Sequence, residues 1–298
     1  MKANQYKMRS IFILWSLSST AAEMDETAIS LLLLPRPELK HKERTCYMMN
    51  SDASKLLTLG YDLDVWNGYG AKVSITTDIS PATNSHILIC GMSGSGKSYF
   101  ENALFAKLIM AESSGEYHFA DYKGDDNFAY LHSCFRYYSY KSTLQALEAV
   151  YARLNARQSG EDESKHPITL IWDEYMANVL SLVNEDKKAA AVVMNKVSEI
   201  LLLGRSLSVR LITTMQRPDA VAFPSGSRLN YGVVIVLGAA IKSIYEMLLP
   251  DFMEQVKGRI FGKSEGVALL QGSQLHFIKV GTVQNSERMQ QICIKALS

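Results

Sequence analysis

The chain has 298 residues, 31 Lys plus Arg against 30 Asp plus Glu, and a formal net charge of +1. With 47% hydrophobic and 20% charged residues it has material for a sizeable core, which excludes global disorder. The even charge balance excludes DNA binding by bulk attraction, so a nucleic acid would need a local basic patch or a ring of subunits.

Residues 1–80 read as a small β-rich, irregular N-terminal region. The apolar run 11–17 is too short for a transmembrane helix, which needs about 20 residues. Lys2, Lys7 and Arg9 before it and Ser19-Thr20-Ala21-Ala22 after it outline a signal peptide, but a buried strand is the plainer reading. A second strand over 28–34 ends at Pro35-Arg36-Pro37. The basic stretch 40–44 reads as a solvated loop. Residues 56–64 and 72–77 alternate loosely and are expected to pair as strands around the turn Asn67-Gly68-Tyr69-Gly70.

Residues 81–298 form the second domain, where strands and helices alternate. Strands are predicted at 86–90, 117–122, 168–172, 209–214 and 233–237. Helices are predicted at 97–110, around 144–154, at 186–203 and from about 286. Residues 268–270 and 275–280 read as a hairpin around Gln271-Gly272-Ser273-Gln274. The fold class is α/β, with a mainly parallel central sheet covered by helices on both faces. Cys46, Cys90, Cys134 and Cys293 form no C-x-x-C pair and no zinc spacing. A disulfide framework is not expected at this size, so the default compartment is reducing and cytoplasmic.

Three segments carry chemistry. Gly91-Met92-Ser93-Gly94-Ser95-Gly96-Lys97-Ser98 fits G-x-x-x-x-G-K-[ST] between a strand and a helix. Its glycines let successive N–H groups curl around phosphate oxygens, and the helix aims its positive end at the same anion. Lys97 is expected to reach the β- and γ-phosphates, and Ser98 to ligate Mg²⁺. With Tyr99, this segment is the expected ATP site. The strand 168–172 ends in Asp173 and Glu174. Asp173 is the expected Mg²⁺ support and Glu174 the general base for water. The strand 209–214 exits into Met215-Gln216-Arg217-Pro218, which would turn the Gln216 amide toward the γ-phosphate.

Some nucleotide chemistries are disfavoured. The nearest match to a guanine-reading N-K-x-D is Asn195-Lys196-Val197-Ser198, which lacks the acid. No Leu-Ser-Gly-Gly-Gln signature stands between the phosphate loop and the carboxylates. The aromatic cluster Tyr117, Phe119, Tyr122, Phe128, Tyr130, Phe135, Tyr137, Tyr138 and Tyr140 is expected to fill core rather than stack on bases.

The chain resembles the FtsK/SpoIIIE-type DNA translocases, within the wider group that includes HerA and the coupling ATPases of conjugation. Four blocks match in order: HILICGMSGSGKS at 86–98, ADYKGD at 120–125, ITLIWDE at 168–174 and GRSLSVRLITTMQRP at 204–218. The similarity covers about residues 70–282, and its most specific part is the Gln-Arg-Pro after a Thr-ending strand. It implies a RecA-like motor domain that assembles as a hexameric ring on double-stranded DNA. It also implies phosphate binding by Lys97, metal binding by Ser98 and Asp173, water activation by Glu174 and γ-phosphate sensing by Gln216. Asp121 and Lys123 match a turn at the ligand edge of the sheet. A ring motor needs an arginine from the neighbouring subunit, for which Arg205 and Arg228 are the candidates. The segment Ile241-Lys242-Ser243-Ile244-Tyr245-Glu246 departs from the family's Asp-Ser-Arg.

The layout is closest to the compact motors of conjugative elements, plasmids and phages. Membrane anchoring and DNA-sequence reading are then expected from a partner protein. The reading is a double-stranded DNA translocase. Its alternatives are a coupling ATPase that feeds DNA to a conjugative channel and a weakly hydrolysing ATP-binding assembly subunit.

Overall fold

The computed structural model describes residues 55–80, 83 and 86–298. The two strands expected at 11–17 and 28–34, and the basic loop 40–44, lie outside the described residues. So do Cys46 and most of the N-terminal region 1–80.

The described strands form one ten-stranded sheet. In chain order they are β1 (Leu56–Asp62), β2 (Ser74–Asp78), β3 (His86–Gly91), β4 (Glu116–Asp121), β5 (Tyr137–Ser139), β6 (Ile168–Asp173), β7 (Val209–Met215), β8 (Tyr231–Leu237), β9 (Glu265–Leu270) and β10 (Gln274–Lys279). Their spatial order is β2-β1-β10-β9-β8-β3-β7-β6-β4-β5. Pairing is parallel from β8 through β5 and antiparallel from β9 to β2. The 268–280 hairpin is β9 and β10, as its turn sequence predicted. β1 and β2 pair antiparallel and, through β1 and β10, extend the edge of the same sheet.

The helices are α1 (Leu63–Tyr69), α2 (Lys97–Ala111), α3 (Thr143–Ser159), α4 (Tyr175–Glu185), α5 (Lys187–Leu203), α6 (Lys242–Leu248), α7 (Met253–Val256) and α8 (Ser286–Leu297). Strand residues alternate between the faces, and both faces are buried. Ile87 and Ile89 of β3 join Phe100, Leu104 and Leu108 of α2 and Leu297 of α8 on one face. Leu88 and Cys90 join Leu147 and Val150 of α3 and Val193 and Val197 of α5 on the other.

Three local expectations need correction. The segment 67–70 is not a strand-joining turn but the end of α1. Asp62 caps that helix by accepting from the Val65 N–H at 2.9 Å, and Gly70 ends it in the left-handed region with φ 64°. Residues 175–185, to which the sequence reading assigned no element, form α4. Asp186 separates it from α5 by accepting from the N–H groups of Lys188 and Ala189, at 2.8 and 3.1 Å. The aromatic cluster divides. Tyr117, Phe119 and Phe128 are buried in the core as expected, but Tyr140 is exposed and stacks with Tyr122, and Phe135 is 83% exposed. β5 was not predicted at all.

Candidate functional site

Parallel registry brings the three chemistry-bearing segments together. Cys90 of β3 lies opposite Met215 of β7, and Asp121 of β4 opposite Asp173 of β6. The C-terminal ends of these strands therefore form one edge, the usual ligand edge of an open parallel sheet. The loop 91–96 joins β3 to α2 there. Gly94 and Gly96 have φ of 82° and 94°, which only glycine adopts freely, and Gly96 caps α2 without a side chain across its first N–H groups. A cavity of about 270 Å³ opens over this loop. Beside the loop it is lined by Lys97, Ser98 and Tyr99, by Lys123, Asp125 and Asn127, by Glu174 and Gln216, and by Lys263.

Lys97 is the hub. Its Nζ stands 2.8 Å from Asp173 Oδ1, 3.1 Å from Glu174 Oε1 and 3.3 Å from Thr214 Oγ1. Burial acts to lower its pKa, but Asp173, Glu101 and Glu174 outweigh that and raise it, so the ammonium stays charged. Asp173 is fully buried behind Lys97. Glu174 is 5% exposed and sits in the left-handed region with φ 53°, a conformation a non-glycine residue holds only under constraint. The constraint comes from its neighbours. Its N–H donates to Thr214 Oγ1 at 3.3 Å, its C=O accepts from Asn178 N–H at 3.1 Å to start α4, and Gln216 Nε2 donates to its Oε1 at 3.0 Å. Thr214 also donates to Asp173 Oδ1.

Asp121, whose role the sequence left open, builds a turn. Its carboxylate accepts from the N–H groups of Gly124 and Asp125 at 2.7 and 3.0 Å, and from Tyr137 OH at 2.8 Å. That turn presents Lys123 and Asp125 to the cavity. Ser98 Oγ donates to Asp125 Oδ2 at 3.3 Å.

The oxygens suit a hard divalent cation. Ser98 Oγ faces the cavity beside Asp125, and the buried Asp173 carboxylate also meets the Glu101 carboxyl. No group of three metal-binding side chains occurs among the described residues. The Ser98 hydroxyl and the Asp173 carboxylate fit Mg²⁺, which protein sites hold through one or two side chains together with substrate phosphates.

Of the expected site residues, the structure brings together the loop 91–98, Tyr99, Asp173, Glu174 and Gln216. It does not bring in Arg205 or Arg228. Both precede the first residues of their strands, β7 and β8, at the opposite end of the sheet, about 20 Å away along a seven-residue strand. Arg205 lines a different cavity there, of about 470 Å³. Sequence reasoning missed Thr214, Asp125, Asn127, Glu101 and Lys263. Two of these had a signal: Thr214 as the end of the strand that Gln216 follows, and Asp125 as the last residue of the block ADYKGD. Glu101 is buried within α2, where burial and Asp173 push its carboxyl well above the usual carboxylate range.

No protein-family model matches the sequence, and no curated protein matches it. Solved structures do match. The cytoplasmic domain of the type VII secretion ATPase EccC of Thermomonospora curvata superposes with TM-score 0.60 at 19% identity, over 93% of this chain and 35% of that one. The conjugation coupling protein TcpA of pCW3, solved with ATPγS, gives 0.59 at 18%, over 81% and 70%. EssC of Geobacillus thermodenitrificans (ATPases 2 and 3) gives 0.57 at 13%, over 82% and 49%. The chain thus spans about a third of the EccC domain. Its fold, carried by a sheet whose ligand edge bears the loop 91–98, is the RecA-like α/β fold that it shares with these solved structures.

Proposed function

We propose that the chain is an ATP-driven double-stranded DNA translocase of the FtsK/SpoIIIE type. The observation that carries the ATPase part is the Glu174 carboxylate, held at the cavity wall by Gln216 at 3.0 Å and Lys97 at 3.1 Å. A carboxylate so fixed beside a phosphate loop is placed to take a proton from water attacking the γ-phosphate. Lys97 reaches the β- and γ-phosphates, and the first N–H groups of α2 donate to the remaining phosphate oxygens. Ser98 and Asp173 would hold Mg²⁺, which neutralises phosphate charge when bound. Gln216, bonded to Glu174, couples the state of the γ-phosphate to that carboxylate.

Arg205 and Arg228 stand too far from their own site to act there, which supports a role only in a neighbouring copy's site within a ring. The net charge of +1 supports the same assembly, since several copies around one duplex sum the few basic groups each provides. Among the described residues no helix is long and apolar enough to cross a membrane.

A second reading, a coupling ATPase delivering DNA to a conjugative channel, is favoured by the likeness to TcpA over 81% of this chain. ATPase rates with no DNA, duplex DNA and single-stranded DNA test both. The translocase reading expects duplex stimulation that rises more than linearly with protein concentration, falls steeply with salt, and is lost in Lys97→Ala. Stimulation by single-stranded DNA alone favours the coupling ATPase. A monomer whose turnover ignores DNA overturns both.

A further inference from the structure

Lys263 lines the cavity over the phosphate loop but belongs to none of the motifs. It stands just before β9, on the opposite side of β3 from the carboxylates. The sheet order is β9-β8-β3-β7-β6, so Glu174 and Gln216 flank the loop from β6 and β7, and Lys263 flanks it from β9.

Its backbone is fixed against the loop. The N–H of Ser264, the next residue, donates to Ser95 O at 2.8 Å, and its C=O accepts from Val280 N–H at 2.8 Å. Gly238 N–H donates to Glu265 O at 2.7 Å. The approach is close enough that a Cβ on Gly96 would meet Ser264 Oγ at 2.6 Å. The adjacent acid is already engaged, since Glu265 takes Lys279 at 2.8 Å and Gly262 N–H at 2.9 Å. Lys263 itself has no ion-pair or hydrogen-bond partner among the described residues. It is therefore an uncommitted cation on an anchored backbone. Lys97, by contrast, is bound by two carboxylates and Lys123 stands 3.4 Å from Asp125.

Tyr99 marks the same side. Its hydroxyl donates to Gly281 O at 3.4 Å and accepts from Val283 N–H, both just after β10, which fixes the ring at the cavity rim. With the γ-phosphate directed to Lys97 and Glu174, the other end of the nucleotide lies toward Tyr99 and Lys263.

We infer that Lys263 binds the α-phosphate and ribose end of the nucleotide, as a second cation of the site that ATP and ADP meet equally. This rests on the nucleotide-site reading above. A lysine that touches only groups shared by substrate and product contributes uniform binding, which shows in KM and in product affinity rather than in kcat.

The test is calorimetric titration of the full chain with ATPγS and with ADP, alongside steady-state ATPase kinetics. The variants are Lys263→Ala, Lys263→Arg and Lys263→Glu, with Lys97→Ala as reference. Lys263→Ala should weaken both nucleotides by the same factor, about tenfold for one charge-assisted contact at a partly open site. The KM for ATP should rise by that factor, with a much smaller change in kcat. Lys263→Arg should recover most of the loss, and Lys263→Glu should exceed it. Loss confined to ATPγS would put the lysine on the γ-phosphate and overturn the assignment. Unchanged affinities in both Lys263→Ala and Lys263→Glu, with binding lost in Lys97→Ala, would overturn it while leaving the nucleotide site standing. A parent chain that binds neither nucleotide would remove both.

Discussion

The two ends of the parallel sheet bury the same chemistry and use it differently. At the end where β7 begins, Arg210 is fully buried and Glu112 is 2% exposed. The guanidinium donates to both Glu112 oxygens, at 2.7 and 3.1 Å, and to Ile79 O at 3.2 Å. This fork-to-fork pair is closed, and it ties β7 to the end of α2 and to the residue after β2. At the other end, Lys97 meets Asp173 and Glu174 with single contacts on the wall of the cavity over the phosphate loop. A point-charge lysine can leave such partners for a phosphate, while a bidentate arginine cannot leave its own cheaply. Burial of charge is thus a stability device at one end and a working site at the other. What separates the two is that the arginine's pairing is bidentate, whereas the lysine's contacts are single and border the cavity over the phosphate loop.

Breaking the closed end should have the largest effect on folding. Glu112→Ala leaves the Arg210 charge buried and half-paired, which costs about 3–5 kcal/mol. Urea unfolding should show that loss, while the KM for ATP stays within about twofold. If KM and stability fall together, the two ends are not independent. At the open end Glu174→Gln should do the reverse. Turnover should slow by about 10²-fold or more, because general-base contributions are of that size, with ATP binding retained. A parental rate in this variant would place water activation elsewhere. Thr214→Val sharpens the contrast further. It keeps the side-chain shape but removes the hydroxyl that bridges Lys97, Asp173 and the Glu174 N–H. A drop in kcat of about tenfold is expected, with a stability loss of about 1–2 kcal/mol. A loss of stability alone would mark Thr214 as structural.

The open end was more legible in the sequence than the closed one, for a physical reason. Phosphate chemistry needs Gly91, Gly96, Lys97 and Ser98 at fixed spacing along one strand–loop–helix unit, so the pattern is local and visible. Asp173, Glu174 and Gln216 were placed from strand ends alone, because parallel strands deliver their C-termini to one edge. Arg210 and Glu112 are 98 residues apart and carry no local signature, so their pairing exists only in the folded chain. Lys263 was invisible for the same reason, since only the antiparallel β9 brings it to the loop. α4 is hard to read because the long apolar-periodic run starts only at about residue 186, and the strained turn at Glu174 gives no sign that a helix follows at once. α1 was misread because Asn67-Gly68 looks like a hairpin turn, when Asp62 and Gly70 cap a helix around it.

The closed end also predicts a pH dependence, the smallest effect and the most specific to one residue. His86 opens β3, and its Nδ1 accepts from the Leu211 N–H at 3.0 Å, joining β3 to β7. The ring is 2% exposed. Burial first, then the charges of Arg210 and Arg205, push its pKa from 6.5 down to about 3. The folded chain therefore keeps His86 neutral where the unfolded chain protonates it. Below about pH 6.5 the unfolded state binds one more proton than the folded state, so stability falls as pH falls, toward the folded value near 3. The slope approaches about 1.4 kcal/mol per pH unit once the unfolded imidazole is fully charged. Carboxylates with lowered pKa, such as Asp78 and Glu265, act in the same direction only at lower pH, near their ordinary values of 3.8 and 4.5. Glu101, whose carboxyl is held well above its ordinary 4.5, acts in the opposite direction between pH 6.5 and 5, so the histidine is isolated by the difference in slope between parent and variant rather than by the parent alone. His86→Asn keeps an acceptor near the Leu211 N–H but removes the titration. Urea unfolding across that interval should show the parent's stability falling relative to the variant's as pH drops. Equal slopes in the two would show that the imidazole is protonated in place, and that the closed end is open to water after all.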